Sequence, residues 1–295
     1  MPADIAIADS TLLPPATSPQ RKAWRTFTRN RTAVFGLFLV ILVVIASLGS
    51  RLIAWHDPFS QAAAQKLTPP NSDYILGRDA FGRDVFARLL EAGCISLLVG
   101  LSSVLIGGII GTVMGVVAAY TGGIVEALLM RLVDILMAFP SLILGLVVMA
   151  VLGAGLQNLI LAIGIVFAPG FARVVHATTL SIKEKEYIIA AQAIGANHVR
   201  IMGRHILPNT LGEILVLGSL WTASAIRIEA SLSFIGLGVS PPTPTWGNMI
   251  REGTTQLTNA PWLSIFPGIA IFLTVLGFNL LGDGLRDIFD PRLQA

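Results

Sequence analysis

Six stretches of this chain are long, apolar and almost free of charge: 33–54, 94–119, 125–152, 159–176, 212–235 and 263–282. At about 1.5 Å per residue the first reaches roughly 33 Å, enough to cross a hydrocarbon core of about 30 Å. In lipid no water is available for backbone N–H and C=O groups, so a spanning segment must satisfy them internally. A helix does this within one segment. The expectation is an all-α, polytopic membrane protein with six transmembrane helices.

The rest of the composition agrees. Charged residues make up only 13% of the chain and apolar ones 54%, against roughly 25% charged in a soluble domain. The solvent is therefore mostly lipid. A pI near 9.3 raises the question of nucleic acid, but most of the 20 Lys and Arg lie in the connecting segments, and a positive-inside topology accounts for them better. Arg21, Lys22, Arg25, Arg29 and Arg31 precede the first span, and Lys183, Lys185, Arg200 and Arg204 fall between the fourth and fifth. Fewer sit in the segments 55–91 and 238–261, which are assigned outside. Both termini are then expected in the cytoplasm. Residues 1–20 carry Pro2, Pro14, Pro15 and Pro19 and read as a disordered tail without a secretory signal. A single cysteine, Cys94, excludes an internal disulfide and a multi-cysteine metal site.

One connecting segment stands apart. Residues 181–209, SIKEKEYIIAAQAIGANHVRIMGRHILPN, are charged between two apolar runs. Ser181 with Glu184 fits a capping box that would start a helix, Gly195 can close it in the left-handed conformation, Asn197 can cap a second helix, and Pro208 is expected to stop that one. The prediction is a helix–bend–helix hung between two spans. The small apolar Ala190 and Ala191 on a charged loop point to burial against something.

Within the spans, Gly107, Gly111, Gly115 and Ala119 recur every four residues, a face that lets another helix approach closely. It suits either a seam between subunits or one inside the chain. Arg227 and Glu229 are ionisable groups inside the fifth span, which makes them pathway candidates, and two-residue spacing points them to different faces. Arg131 and Asp134, three apart, suggest a local ion pair. Pro140 and Pro169 are expected to kink their helices. No phosphate-cradling Gly–Lys pattern, HExxH or GxSxG occurs, and His56, His176, His198 and His205 form no short metal pair. An enzyme, a cofactor and a metal are therefore not expected. A secondary transporter would leave the 181–209 loop unexplained.

The 181–209 segment resembles the cytoplasmic signature loop of permease subunits of ATP-binding-cassette importers, through Ala190, Ala191, Gly195, Ile206, Leu207 and Pro208, with Ile189 where that family usually has Glu. Further segments resemble the C-type permeases of dipeptide and oligopeptide importers: Leu76, Gly77, Asp79, Gly82, Arg83 and Asp84 in LGRDAFGRDVFARLL, the stretch EASLSFIGLGVSPPTPTWGNMI and the stretch FNLLGDGLRDIFDPRL. Cys94 and His176 stand where Arg is common. The resemblance implies a type I importer permease in the bacterial inner membrane, without a nucleotide-binding motif of its own. Its implied partners are a second homologous permease as a heterodimer, two ATPase subunits and a periplasmic substrate-binding protein. The implied substrates are di- or oligopeptides, with nickel, glutathione or another small solute as alternatives. It also implies force transfer from the ATPase at Glu186, Tyr187, Ala190, Ala191 and Gly195, and outside it suggests binding-protein contact at Asp79, Arg83, Asp84 and Trp246. The chain divides on this reading into a cytoplasmic tail (1–31), a first helix with a periplasmic segment (32–91), a transport domain (92–285) containing the loop 181–209, and a cytoplasmic tail (286–295).

Overall fold

A computed structural model describes residues 27–289. The tail 1–20, the cations Arg21, Lys22 and Arg25, and the end of the C-terminal tail with Arg292 lie outside the described residues. Among the described residues the regular structure is helical. The first span is α1 (Arg31–Leu48), capped by Asn30, whose side chain accepts from Thr32 and Ala33 N–H; a single turn, α2 (Ser50–Ile53), follows it. The second, α3 (Val85–Thr121), is 37 residues long, or about 56 Å at 1.5 Å per residue, and so projects well beyond a bilayer core.

The third span is broken. Helices α4 (Gly123–Met137) and α5 (Ser141–Leu152) meet at 98°, where one helix was expected with a kink. The cause is Pro140, which cannot donate to the ladder and whose ring excludes a helical predecessor. Counting this pair as one gives six spans. Helix α6 (Leu156–Lys183) runs unbroken through Pro169, and after the loop come α7 (Glu186–Ala193), α8 (His198–Ile201), a wide π-turn at Met202–Ile206 and α9 (Leu207–Ile235). Next come α10 (Trp246–Thr254) and the last span, α11 (Trp262–Phe289).

The most extensive packing is between α3 and α6, and glycines permit it. A Cβ on Gly107 would stand 2.6 Å from Gly164 O, and one on Gly115 would stand 2.6 Å from Ala172 O. The four-residue glycine spacing is thus an internal seam, one of the two alternatives the sequence left open. Apolar attraction cannot hold helices together in lipid, so close backbone approach does.

Two ends result. One, called the outer end after the topology expected from the sequence, gathers the segment before α3 with α10 and the start of α11, around Val85, Trp246, Met249 and Leu263. The other, called the inner end on the same expectation, gathers the ends of α3 and α6 with the 181–209 loop, around Val116, Tyr120, Ile182, Ile188 and Ile201. The fold therefore puts the loop and the 78–88 segment at opposite ends, as the topology requires.

Three local expectations fail for physical reasons. Ser181 does not begin a helix: α6 continues to Lys183, because nothing in that stretch interrupts its ladder, and α7 starts from Lys185 with no side-chain cap. Pro208 does not end a helix: it occupies the first turn of α9, where a missing N–H costs nothing. Asp134 pairs with Arg173 of α6 instead of Arg131, since α4 lies across α6 and that guanidinium is closer than its own helix neighbour.

Candidate functional site

At the inner end, helix α7 is closed by a Schellman arrangement. Ala196 N–H bonds to Ala191 O at 3.0 Å and Gly195 N–H to Gln192 O at 2.9 Å, with Gly195 at φ +79°. Only a residue tolerant of positive φ turns the chain there. Asn197 then caps α8 by accepting from Val199 N–H at 3.2 Å.

The two faces of this elbow differ. Ile188 and Ala191 point into the molecule, Ile188 fully buried and Ala191 nearly so. Glu186, Ala190 and Gly195 are exposed, and so are the large apolar Tyr187, Ile189, Ile194 and Val199, with Ile194 86% accessible. Of the two alanines read as wanting burial, one is covered by its own chain and the other is open. An uncovered apolar row on an otherwise polar loop is the kind of surface that marks an interaction site.

At the outer end the LGRDAFGRD segment folds on itself. Gly77 and Gly82 take φ +77° and +75°. Asp79 Oδ1 accepts from Phe81 N–H (2.8 Å) and Arg83 N–H (2.9 Å), and Oδ2 accepts from Arg83 Nε at 2.6 Å. Arg83 Nη2 reaches Glu252 Oε2 of α10 at 2.7 Å, and Arg88 lies 3.6 Å from Asp79 and 3.7 Å from Glu252. Asp84 caps α3 by accepting from Phe86 N–H at 2.9 Å and meets His56 Nδ1 at 2.8 Å. The ring of His56 stacks on Tyr74, which Arg78 covers from 3.6 Å.

This geometry bears on the expected binding-protein contact. Asp79, Arg83, Asp84 and Trp246 are buried, each 6% exposed or less, and so present almost no surface to a binding protein. Their side chains are consumed by two arginines needing carboxylates and by a helix needing a cap. Trp246 donates Nε1–H to Leu89 O at 3.1 Å and ties α10 to α3. Exposed neighbours such as Phe81 form the surface over them.

The two ionisable groups of the fifth span separate as their spacing predicts. Arg227 is exposed and donates to Ser224 Oγ at 2.8 Å. Glu229 is fully buried and accepts from Ser96 Oγ (3.0 Å) and Ser233 Oγ (2.7 Å). In this conformation Glu229 fastens α9 to α3, and the exposed surface belongs to Arg227. Glu252, His56, Tyr120 and Lys183 also hold the sites together, and the sequence did not mark them. Arg83 and Glu252 are 169 positions apart, and no local pattern announces such a pair. His176 Nε2 meets Glu126 at 2.7 Å and His198 Nδ1 meets Tyr120 at 2.8 Å.

Comparison with known proteins agrees with this architecture. The family described as binding-protein-dependent transport system inner membrane component matches residues 111–295, and the N-terminal TM domain of oligopeptide transport permease C matches residues 18–70. A glutathione transport system permease protein, GsiD, of Pectobacterium atrosepticum is 44% identical over 280 residues, which is 94% of this chain and 93% of that one. A dipeptide transport system permease protein, DppC, of Alkalihalophilus pseudofirmus is 39% identical over 95% of this chain and 92% of its own. Among solved structures, the inward-facing methionine ABC transporter MetNI shares the fold at a TM-score of 0.53 and 21% identity, covering 69% of this chain and 97% of that chain. The chain belongs to the family of binding-protein-dependent transport system inner membrane components and has the type I ABC importer permease fold.

Proposed function

We propose that this permease is the membrane subunit of an ATP-driven importer for short peptides. The observation that carries the reading is the inner elbow, whose apolar row of Tyr187, Ile189 and Ile194 is exposed although its chain has an apolar core available. A separate ATPase that receives this row would cover it. Glu186, Tyr187, Ala190, Ala191 and Gly195 would then carry force, with Ala191 anchoring the elbow from beneath. The chain has no phosphate-cradling loop, so ATP is hydrolysed by that partner. A second homologous permease, two ATPase subunits and a periplasmic binding protein complete the assembly. Both termini lie in the cytoplasm, and residues 92–285 form the transport domain.

Arg227, exposed on a spanning helix, is the better placed of the two pathway candidates. Glu229 contributes by fixing the helix beside it. ATP and the docked binding protein shift the inward–outward balance only by their different affinities for the two states.

The similarity to a dipeptide permease and to a glutathione permease supports a substrate with a peptide backbone and free ionic groups. Glutathione is the second reading, favoured by the 44% identity to GsiD. The test is uptake of labelled dipeptide and of labelled glutathione into proteoliposomes holding the full complex, with and without ATP. Uptake of either solute that continues without the ATPase subunits overturns the proposal. Gly195→Pro, which cannot adopt φ +79° and loses the N–H bonded to Gln192 O, is expected to leave the membrane bundle folded and abolish uptake.

A further inference from the structure

We propose that Tyr120, Lys183 and His198 form the joint through which displacement of the inner elbow reaches α3. The inference rests on the reading that an ATPase moves that elbow, and it names the residues that pass the movement on.

Tyr120 is the penultimate residue of α3 and only 7% exposed. Its ring sits in the apolar cluster with Val116, Val175, Ile182, Ile188 and Ile201, which joins the ends of α3 and α6 to both loop helices. Its hydroxyl is 2.8 Å from Nδ1 of His198, the first residue of α8. Among the described residues, this is the side-chain hydrogen bond that runs from the elbow to α3. The backbone of the same residue is held from the other side. Lys183, the last residue of α6, donates Nζ–H to Tyr120 O at 3.0 Å and to Ala119 O at 3.3 Å. Helix ends leave such carbonyls without partners, and an ammonium there also meets the negative end of the helix dipole. One residue thus ties the elbow by its side chain and α6 by its carbonyl.

Two further features make this a transmission point. Between α8 and α9 the π-turn at Met202–Ile206 interrupts the α-helical ladder, a device common at functional sites. The elbow therefore has a tie to the bundle besides its own chain continuation. Beyond the joint, α3 is clasped to α6 along Gly107, Gly111 and Gly115. At its far end α3 carries Arg88 and receives the Trp246 indole. A push on His198 acts on a rod about 56 Å long that ends in the outer charged cluster.

The test uses the complete transporter in liposomes, with Tyr120→Phe, His198→Ala and the double variant. Solute uptake and binding-protein-stimulated ATP hydrolysis are measured on the same vesicles. Each single variant is expected to lower uptake per ATP by about fivefold or more, the low end of a coupling interaction. The double variant should be no worse than either single, because both remove one bond. Assembly with the ATPase and the thermal midpoint should stay close to the parent. An unchanged uptake-per-ATP ratio, or losses that multiply in the double variant, overturns the joint. Wild-type vesicles assayed alongside separate the two readings: if they import only with ATP, failure of the variants to uncouple sinks the joint and leaves the importer standing.

Discussion

The two ends of this permease handle polarity in opposite ways. At the outer end Arg83, Arg88, Asp79 and Asp84 are buried and pair with one another, with Glu252 or with backbone. At the inner end Tyr187, Ile189, Ile194 and Val199 are exposed and touch little. The charges of the outer end are satisfied within one chain; the inner end leaves large apolar side chains uncovered. Buried charge at one end should therefore govern whether the chain folds, and exposed apolar surface at the other should govern what it captures.

The sharpest way to break this contrast is at Arg83. Removing one partner of a buried ionic group strands the others without compensation, at a cost of about 3–5 kcal/mol. Arg83→Ala leaves Asp79 and Glu252 facing each other with only Arg88 at 3.6–3.7 Å between them. The expected result is a large fall in the thermal midpoint of the detergent-purified subunit and low recovery from membranes. If the midpoint holds, the outer cluster is decorative and the comparison fails.

A smaller effect is expected in the seam that connects the ends. At Gly111 an added Cβ would lie 2.6 Å from the Phe171 Cβ and 2.9 Å from Ala172 N. Gly111→Val must push α3 and α6 apart, and overpacking of this kind costs about 1–3 kcal/mol. Both melting and uptake should suffer. Gly218, also on a spanning helix, has only a Val104 methyl at 3.9 Å, so Gly218→Ala provides the control that should melt like the parent.

What the sequence disclosed follows the same division. Span number, the glycine seam, the turn at Gly195 and the Asn197 cap are local or periodic, so they can be read from neighbouring letters. Two features were illegible because distant parts decide them, and a third because one residue type suits two local structures. Asp134 chose Arg173, 39 residues away, over Arg131. The LGRDAFGRD residues were expected at a binding-protein contact on the family resemblance, and their burial became visible only with Glu252, 169 residues on. Pro208 was read as a stop signal, yet the same residue serves a helix start, and the π-turn before it decides between the two. Tyr120 carried no signal at all beyond being one of three tyrosines.

Smaller again on the fold is Gly195→Ala. Space is not the obstacle, since a Cβ there has nothing within 4 Å. The cost is conformational: φ +79° places a Cβ against the carbonyl, at roughly 1–2 kcal/mol. Because the elbow is an exposed loop, it should reorient or fray without unfolding the bundle. The midpoint should move little, and ATPase capture should drop. A midpoint fall as large as that of Arg83→Ala would mean the elbow belongs to the folding core.

The least effect on the fold, and the sharpest on capture, is expected at Ile189. Its side chain is 56% exposed, and surface substitutions away from special features stay within about 0.5 kcal/mol. Ile189→Glu should therefore melt like the parent. If a partner groove covers this side chain, the exchange removes burial worth about 1.5–3 kcal/mol, or at least about tenfold in affinity. Pull-down of the ATPase by the purified subunit, titrated in concentration, reads this directly. The signature loop that this segment resembles has Glu at this position, so the same experiment with an ATPase whose permease carries that Glu should reverse the order and bind Ile189→Glu more tightly than the parent. Equal capture by both forms would place Ile189 outside the docked surface and shift the contact to Tyr187 and Ile194, the other exposed apolar residues of the elbow.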